Sequence, residues 1–317
     1  MMHRRKGLIA LLMALALAMT ACGSSTATDT TLDPSSPLAS TTTLAGAVDT
    51  TEAVATETTE AVEVFDVEAA VIDYAASIPD GWMMVKELED FKAAVEASDA
   101  LIIDVRETGE YAEGHIMDAI NIPLRTLADN LDKIPTDRQV FVYCKSGWRG
   151  GMATSTLAMM GYDNVKGYPA GWVGWTEAGE EVNLEPVEAE VVGDPGLQPE
   201  LVAAVDEFLN SIPEGWLTAG DAQNVSDAID AGAFVVDVRE PDEFADGHMA
   251  GAINVPVRQL GTTDVEFPTD TSMIHYCGSG WRAALATPII HILGNDNDKG
   301  YSSTWASWAD EGFPVES

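Results

Sequence analysis

Most of the chain beyond residue 65 is one unit that occurs twice, and this repeat limits the possible folds more than any other feature. The segment 78–82, Ile-Pro-Asp-Gly-Trp, returns at 212–216 as Ile-Pro-Glu-Gly-Trp. The segment 143–149, Tyr-Cys-Lys-Ser-Gly-Trp-Arg, returns at 276–282 as Tyr-Cys-Gly-Ser-Gly-Trp-Arg. Offsets of 133 and 134 residues are much longer than the periods of solenoid proteins, so the pattern indicates a duplicated domain of about 120 residues.

Each copy alternates short apolar runs with longer helical patterns. The runs at 101–105 and 140–143 are almost wholly apolar, as expected of strands buried on both faces, and they recur at 234–238 and 273–276. Strands that alternate with helices predict an α/β fold, in which each copy is a parallel sheet flanked by helices on both faces. The acidic, proline-containing stretch 183–197 is predicted to be a linker between a first domain at 65–182 and a second at 198–317, and each domain is expected to begin with a helix.

The first 64 residues predict an export signal and a tether. Residues 1–21 combine a basic start with an apolar run of about fifteen residues, shorter than the ~20 that a membrane-spanning helix needs. The run leads into Met-Thr-Ala-Cys-Gly at 19–23, which resembles the bacterial lipobox. This resemblance implies cleavage before Cys22, a lipid on Cys22, and an exported protein anchored to a cell membrane on its extracytoplasmic side; an ordinary secretory signal is the alternative. Residues 22–64 are rich in Thr, Ala and acidic residues, which predicts a disordered tether.

Charge and cysteine content exclude several classes of protein. The chain has 16 Lys and Arg against 52 Asp and Glu, a formal charge of −36. Such a field repels a polyanion, so we expect no nucleic-acid binding. Three cysteines are too few for a disulfide-stapled scaffold or a four-cysteine zinc site.

Two cysteines follow buried strands at the sheet edge where ligands bind in open α/β folds. Cys144 and Cys277 each precede a short loop and then a helix. Loop N–H groups, the positive end of the helix dipole and a nearby arginine would form a cup for an anion and favour the thiolate. The candidate catalytic residues are therefore Cys144 and Cys277, and the candidate substrate-binding residues are Lys145, Ser146, Gly147, Trp148, Arg149, Gly278, Ser279, Gly280, Trp281 and Arg282.

Together with further motifs in the same order, these loops resemble those of the rhodanese family. The first copy matches with Asp104-Val105-Arg106, Glu110-Tyr111, Gly114-His115-Ile116, Asn121-Ile122-Pro123, Cys144 to Arg149 and Gly171 to Trp175. The second matches with Asp237-Val238-Arg239, Glu243-Phe244, Gly247-His248, Asn254-Val255-Pro256, Cys277 to Arg282 and Trp305 to Trp308. The resemblance covers roughly residues 66 to 316 and implies two rhodanese-like domains.

The resemblance implies a sulfurtransferase. In that family the cysteine thiolate attacks the outer sulfur of thiosulfate, expels sulfite, and passes the sulfur from a persulfide to cyanide or a thiol. The expected partners are thus a small anionic sulfur donor and a thiol or cyanide acceptor, with no metal and no organic cofactor. Asp104 with Arg106, and Asp237 with Arg239, are expected to support the loops.

Other functions remain open at this point. One alternative is a persulfide carrier or binding module without efficient catalysis. Cysteine phosphatases and arsenate-reducing relatives place five residues between the cysteine and the arginine, whereas four intervene here, which favours sulfur transfer. The loop also differs from the Cys-Gly-Ser/Thr-Gly-Val-Thr form of mercaptopyruvate-using relatives, so thiosulfate is the better donor. The cysteines could instead be inert buried thiols or one disulfide.

Secondary expectations concern the residues around the loops. His115 and His248 are expected to bond backbone in turns rather than act as general bases, and Trp148 and Trp281 to wall the two mouths. The copies are unequal, because Lys145 corresponds to Gly278. We therefore expect both sites to load sulfur, with the first reacting faster. Pro288 is expected to kink or shorten the helix after Cys277.

Overall fold

The computed structural model describes residues 64–317. The predicted export signal, Cys22 and all but the last residue of the predicted tether lie outside the described residues. Within 64–317, none of the helices combines the length and the apolar character that crossing a membrane requires.

The two copies contain the same succession of α-helices and strands, and the first copy has one more 3₁₀ helix than the second. In the first copy the structure has α1 (Val67–Ser77), α2 (Leu88–Ala97), β1 (Leu101–Asp104), α3 (Thr108–Ala112), β2 (His115–Ile116), β3 (Ile120–Asn121), 3₁₀ helices at Leu124–Thr126 and Ala128–Lys133, β4 (Val140–Tyr143), α4 (Trp148–Met160), β5 (Val165–Gly167), α5 (Gly171–Glu177) and β6 (Val182–Asn183). In the second it has α6 (Pro199–Ser211), α7 (Ala222–Asp230), β7 (Phe234–Asp237), α8 (Pro241–Ala245), β8 (His248–Met249), β9 (Ile253–Asn254), a 3₁₀ helix at Val257–Gln259, β10 (Met273–Tyr276), α9 (Trp281–Ile292), β11 (Asp298–Gly300), α10 (Trp305–Asp310) and β12 (Val315–Glu316).

Each copy is built on a four-stranded parallel sheet. The strand order is β3-β1-β4-β5 in the first copy and β9-β7-β10-β11 in the second. Alternate residues of a strand face opposite sides of the sheet. In β4, Val140 and Val142 enter a central core, whereas Phe141 and Tyr143 enter an outer core against α2 and α5. The α/β fold with parallel sheets covered by helices is confirmed.

The two copies share the central core. Helices α4 and α9 cross at equivalent positions, so closely that a Cβ on Gly151 would lie 2.5 Å from the Cβ of Ala284. Ser155 donates a hydrogen bond across the crossing to the Leu285 carbonyl at 2.8 Å. One continuous apolar cluster contains buried residues from both copies.

The first helix of each copy packs on the opposite copy. Helix α1 contacts α9 and the 3₁₀ helix Val257–Gln259, and α6 contacts the 3₁₀ helices Leu124–Thr126 and Ala128–Lys133. Both helices are at the places that the sequence predicted. Their crossed packing was not predicted, because an apolar helix face does not reveal which of two similar surfaces will cover it.

The second copy differs from the first inside its core. His275 of β10 is fully buried and its Nδ1 lies 2.9 Å from Oδ1 of Asp298 in β11, whereas the first copy has Val142 and Val165 at the equivalent positions. Burial opposes the charged imidazole, but Asp298 and a hydrogen bond with the Ala283 carbonyl raise the pKa of His275.

Pro288 lies within α9, which continues to Ile292 and is one residue shorter than α4.

Candidate active site

Both cysteines lie at the point where a central strand turns into a helix. Cys144 comes directly after β4, and α4 begins four residues later at Trp148; Cys277 and α9 repeat this arrangement. The turn requires glycine, since Gly147 has a φ of +96° and a Cβ there would lie 2.8 Å from the Pro169 carbonyl oxygen. The strand register and this one glycine therefore fix the position of the thiol.

In the second copy the amide cup is formed around sulfur. The Cys277 Sγ accepts hydrogen bonds from the backbone N–H groups of Gly280 at 3.1 Å and Ala283 at 3.3 Å. These N–H groups belong to the first turn of α9, where backbone donors have no partner within the helix. The side chain is fully buried, so these donors stabilise negative charge on sulfur away from water.

In the first copy the cysteine opens onto a cavity. Cys144, which is 2% exposed, lines a cavity of about 440 Å³ together with Lys145, Ser146 and Arg149. The cavity is lined partly by charged side chains, but Cys144 also belongs to the central apolar cluster, so the reactivity of this thiol stays a prediction. Cys144 and Cys277 are both free thiols, so they do not form the alternative disulfide.

Each loop arginine is held by a carboxylate that the sequence analysis left without a role. Arg149 donates to Glu110 through Nη1 at 2.5 Å and Nη2 at 2.9 Å, and Arg282 pairs with Glu243 in the same two-bond geometry. The hydrogen bonds from Arg149 hold the pKa of Glu110 below its ordinary value. Burial opposes the charge on Arg149, but the hydrogen bond to Glu110 raises its pKa overall. The guanidinium therefore stays charged beside the sulfur. The recurrence of the acidic residue in both copies is the signal that could have identified it.

The predicted support by Asp104 and Asp237 is present in the structure. Asp104 is fully buried at the end of β1 and accepts from the backbone N–H and the guanidinium of Arg106, and from the Tyr143 hydroxyl at 2.7 Å. Asp237 and Arg239 repeat the pair. Neither carboxylate is among the residues that line the Cys144 cavity. These pairs fix the sheet edge from which the loops emerge.

The loop tryptophans contact the opposite copy. The indoles of Trp148 and Trp281 are buried between the copies, where their Nε1 atoms donate to the Trp216 and Trp82 carbonyls at 2.7 and 2.8 Å. Trp148 still contributes to the lining of the Cys144 cavity, but the half-buried indole that lies there over the Arg149 guanidinium is that of Trp216. Trp148 therefore lies at the Cys144 cavity as expected, and the structure adds Trp216 of the other copy as a second indole there.

The remaining loop residues lie close to solvent. Lys145 and Ser146 are exposed at the Cys144 cavity, and Ser279 is exposed at the second loop. Gly278 stands beside the arginine, since a Cβ there would lie 3.2 Å from Arg282 Nη2. A second cavity of about 330 Å³ is lined by both loops, namely by Ser146, Gly147, Trp148, Ser279, Gly280 and Trp281.

The two histidines bond backbone, as predicted, but each lies in a two-residue strand, β2 or β8, rather than in a turn. His115 Nδ1 lies 3.1 Å from the Tyr111 carbonyl oxygen and His248 Nδ1 lies 2.9 Å from that of Phe244. Each ring also stacks on the aromatic ring of that same residue. Neither is among the residues that line the Cys144 cavity.

Comparison with known proteins agrees with this geometry. A family model described as "Rhodanese-like domain" matches the chain twice, at residues 87–178 and 221–311. The chain belongs to the rhodanese family. Both matches fall within the domain limits proposed from the sequence, which stay a prediction at their outer ends.

Several relatives of this rhodanese-family chain have sulfurtransferase names. A "Sulfurtransferase" of Allochromatium vinosum is 32% identical over 99 residues, which are 30% of this chain and 92% of the relative. The "Thiosulfate:glutathione sulfurtransferase" of Saccharomyces cerevisiae is 34% identical over 30% of this chain and 81% of its own length. A "Putative thiosulfate sulfurtransferase 1" of Mycobacterium bovis is 24% identical and spans both copies, covering 70% of this chain and 93% of the relative.

Among solved structures, the chain is similar to the 3-mercaptopyruvate sulfotransferase SseA of Escherichia coli. The match has 20% identity and a TM-score of 0.35, and it covers 70% of this chain and 98% of the other.

Proposed function

We propose that this protein is a sulfurtransferase that moves sulfane sulfur from thiosulfate, or a similar anionic donor, to a thiol or cyanide through a cysteine persulfide. The observation that carries the proposal is the pair of amide N–H groups that converge on the Cys277 Sγ, at 3.1 and 3.3 Å. The equivalent residue of the first copy, Cys144, lines a cavity. Such donors stabilise a thiolate and then the terminal sulfur anion of a persulfide.

The proposed reaction has two steps. The thiolate of Cys144 or Cys277 attacks the outer sulfur of thiosulfate, a sulfur–sulfur bond forms to the cysteine, and the bond to the inner sulfur breaks so that sulfite leaves with its electron pair. The acceptor, cyanide or a thiolate, then attacks the outer sulfur of the persulfide and leaves as thiocyanate or as a new persulfide. The cysteine thiolate is regenerated, and no external oxidant or reductant is consumed.

The residues of the first site have different roles in the proposed reaction. Arg149 and Lys145 attract the donor and offset the charge that accumulates on sulfur and sulfite, while the loop amides hold the anion. Asp104 and Arg106 keep the loop in place. The second site lacks the counterpart of Lys145.

Peptide-resolved mass spectrometry of the full chain treated with thiosulfate tests the proposal. We expect a gain of about 32 Da, the mass of one sulfur, on the peptides of Cys144 and Cys277, and its loss on addition of cyanide. Cys144→Ser and Cys277→Ser variants are the matched controls, each of which should leave the other peptide loaded. Failure of both cysteines to gain sulfur, together with hydrolysis of an aryl phosphate, would favour the phosphatase alternative instead.

One observation favours the carrier alternative. Both loop arginines are already paired with a carboxylate, which weakens their attraction for an anionic donor. Steady-state turnover with thiosulfate and cyanide separates the two functions, because a carrier would load sulfur once from a partner's persulfide but turn over thiosulfate poorly.

We also propose, from the lipobox resemblance alone, that the protein is exported and anchored to a membrane by lipid on Cys22. Release of a Cys22→Ala variant from the membrane fraction would support the anchor, and unchanged membrane association would refute it.

A further inference from the structure

Each candidate active site is covered by a segment of the opposite copy. We name the segments 78–82 and 212–216 the first and second arm; they are the repeated Ile-Pro-Asp/Glu-Gly-Trp sequences that lead into the two domains. The second arm ends in Trp216, whose ring lies 4.8 Å from the Arg149 guanidinium carbon and lines the Cys144 cavity. The site of the first copy thus contains an aromatic wall from the second.

The first arm makes the reciprocal contact. The ring of Trp82 lies 5.1 Å from the guanidinium carbon of Arg282, in the loop of Cys277. Because the same contact between domains occurs in both copies, it is a regular feature of the fold and not a chance approach of two surfaces.

The arms are held in place by a second arginine of the opposite copy. Arg125 donates to the Ile212 and Pro213 carbonyls at 2.9 and 2.8 Å, and its guanidinium carbon lies 4.0 Å from the Trp216 ring. Arg258 does the same for the first arm, with a bond to the Ile78 carbonyl at 2.6 Å and its guanidinium carbon 4.2 Å from the Trp82 ring. Each indole ring therefore contacts both an anchoring arginine and the loop arginine.

The backbone of the arms is strained in both copies. Trp216 and Leu217 have φ values of +57° and +56°, and Trp82 and Met83 have +51° and +48°. Bulky residues rarely adopt this left-handed conformation, and the surrounding structure must offset its cost. The loop tryptophans supply part of that compensation, since Trp148 and Trp281 donate to the carbonyls of the strained tryptophans.

We propose that Trp216 is a specificity-determining wall of the Cys144 site and that Trp82 is the same for the Cys277 site, so that each site is completed by the opposite domain. The wall contacts the loop guanidinium by a cation–π interaction and restricts the size of the donor that reaches the cysteine. The presence of these aromatic walls does not depend on which reaction the sites catalyse, but their effect on donor choice rests on the proposed sulfurtransferase function.

Cysteine alkylation tests the crossed arrangement without any enzyme assay. The full chain is treated with iodoacetamide, and the labelling rates of the Cys144 and Cys277 peptides are followed by mass spectrometry. We expect Trp216→Ala to accelerate labelling of Cys144 and not of Cys277, and Trp82→Ala to show the opposite pattern. Each variant is thus the matched control of the other.

Two results would overturn the proposal. One is faster labelling of the cysteine in the same domain as the changed tryptophan. The other is an equal increase in the labelling rates of both cysteines, which indicates general loosening of the structure. Trp216→Phe and Trp82→Phe keep an aromatic ring over the arginine. The cysteines of these variants should be labelled at nearly the wild-type rate. If an alanine variant does not fold, the phenylalanine variants still test the proposal.

Donor selectivity tests the functional half of the proposal. In a Cys277→Ser background, Trp216→Ala should raise the KM for thiosulfate about two- to fivefold, the size of one exposed cation–π contact. It should also raise the kcat/KM for an aryl thiosulfonate relative to thiosulfate, because the mouth becomes wider. An unchanged selectivity ratio would refute a role in donor choice. Absence of sulfur loading from either donor in the otherwise unchanged chain would instead refute the proposed function, and the alkylation pattern would still decide whether the wall exists.

Discussion

At the scale of single residues, the two sites differ in net charge as well as in the surroundings of the sulfur. Both pair an arginine with a glutamate, so the cations of Arg149 and Arg282 are balanced locally. Lys145 is the one difference in charge between the two cysteine loops, and it stands exposed at the Cys144 cavity. The first site therefore carries an excess positive charge that the second lacks.

This difference predicts unequal affinity for an anionic donor. In a Cys277→Ser background, Lys145→Gly should raise the KM for thiosulfate by about two- to fivefold, as expected from one exposed ion pair, with a smaller effect at high salt. The Cys277 site measured alone in a Cys144→Ser variant is the natural comparison, because Gly278 is already present there. Steady-state kinetics at two salt concentrations check the prediction. A Cys277 site that binds thiosulfate more tightly than the Cys144 site would contradict it.

The sequence identified the cysteine loops but only part of their surroundings. Residues 144–149 and 277–282 are contiguous, so their chemistry could be recognised in the repeat. Glu110 and Trp216 reach the Cys144 site from 34 residues before the cysteine and 72 after it. The fold of the first copy brings Glu110 there and the packing of the second copy on the first brings Trp216, and a contiguous motif encodes neither approach.

At the scale of secondary-structure elements, the loop tryptophans lock α4 and α9 to the opposite sheets. A Cβ on Gly300 at the end of β11 would lie 2.0 Å from the Cη2 atom of Trp148, and Gly167 in β5 has the same relation to Trp281. Each indole thus packs flat against a strand that has no side chain at that point. The buried indole cannot move aside, since its Nε1 is hydrogen-bonded.

Gly300→Ala should therefore destabilise the protein strongly for so small a change. We expect a loss of about 1–3 kcal/mol in the free energy of unfolding, the usual cost of overpacking a filled core. Gly215→Ala is the matched control: a Cβ there meets nothing within 4 Å, so its effect should stay within about 0.5 kcal/mol. Urea denaturation measures both. Equal stability of the two variants would show that the indole is not locked against the strand.

The boundaries of the elements show why sequence patterns go only so far. The strands at 140–143 and 273–276 were predicted without error, because each short, mostly apolar run begins after a polar residue and ends at the tyrosine before the cysteine. Helix α2 begins at Leu88, and the Val85 N–H just before it bonds to the Gly167 carbonyl, so this segment runs along β5. A bond between residues so far apart in the chain has no local sequence signal.

At the scale of the whole molecule, the two copies are interleaved rather than joined end to end. Both leading helices pack on the opposite copy, and buried residues from both copies form one central core. The repeat predicted two similar domains, and this is confirmed. It did not predict their interleaving, because a duplicated sequence is equally compatible with two separate domains on a flexible linker.

Neither half should fold alone. We expect fragments 64–197 and 198–317 to lack cooperative thermal unfolding when separate, because each leaves a large part of the shared core exposed to water. Mixing equal amounts should restore a cooperative transition and sulfur loading. Circular dichroism of the single and mixed fragments checks this. A cooperative transition in fragment 64–197 by itself would contradict the expectation.

The crossed packing of α1 also sets an order of events during biosynthesis. Val67 is translated 190 residues before Val257, the first residue of the 3₁₀ helix that covers α1. At ordinary elongation rates of about 5–20 residues per second, roughly 10–40 s separate the two. Throughout that interval the nascent amino-terminal half presents an uncovered apolar surface. We therefore expect newly made chains to depend on chaperones until the carboxyl-terminal half has been synthesised.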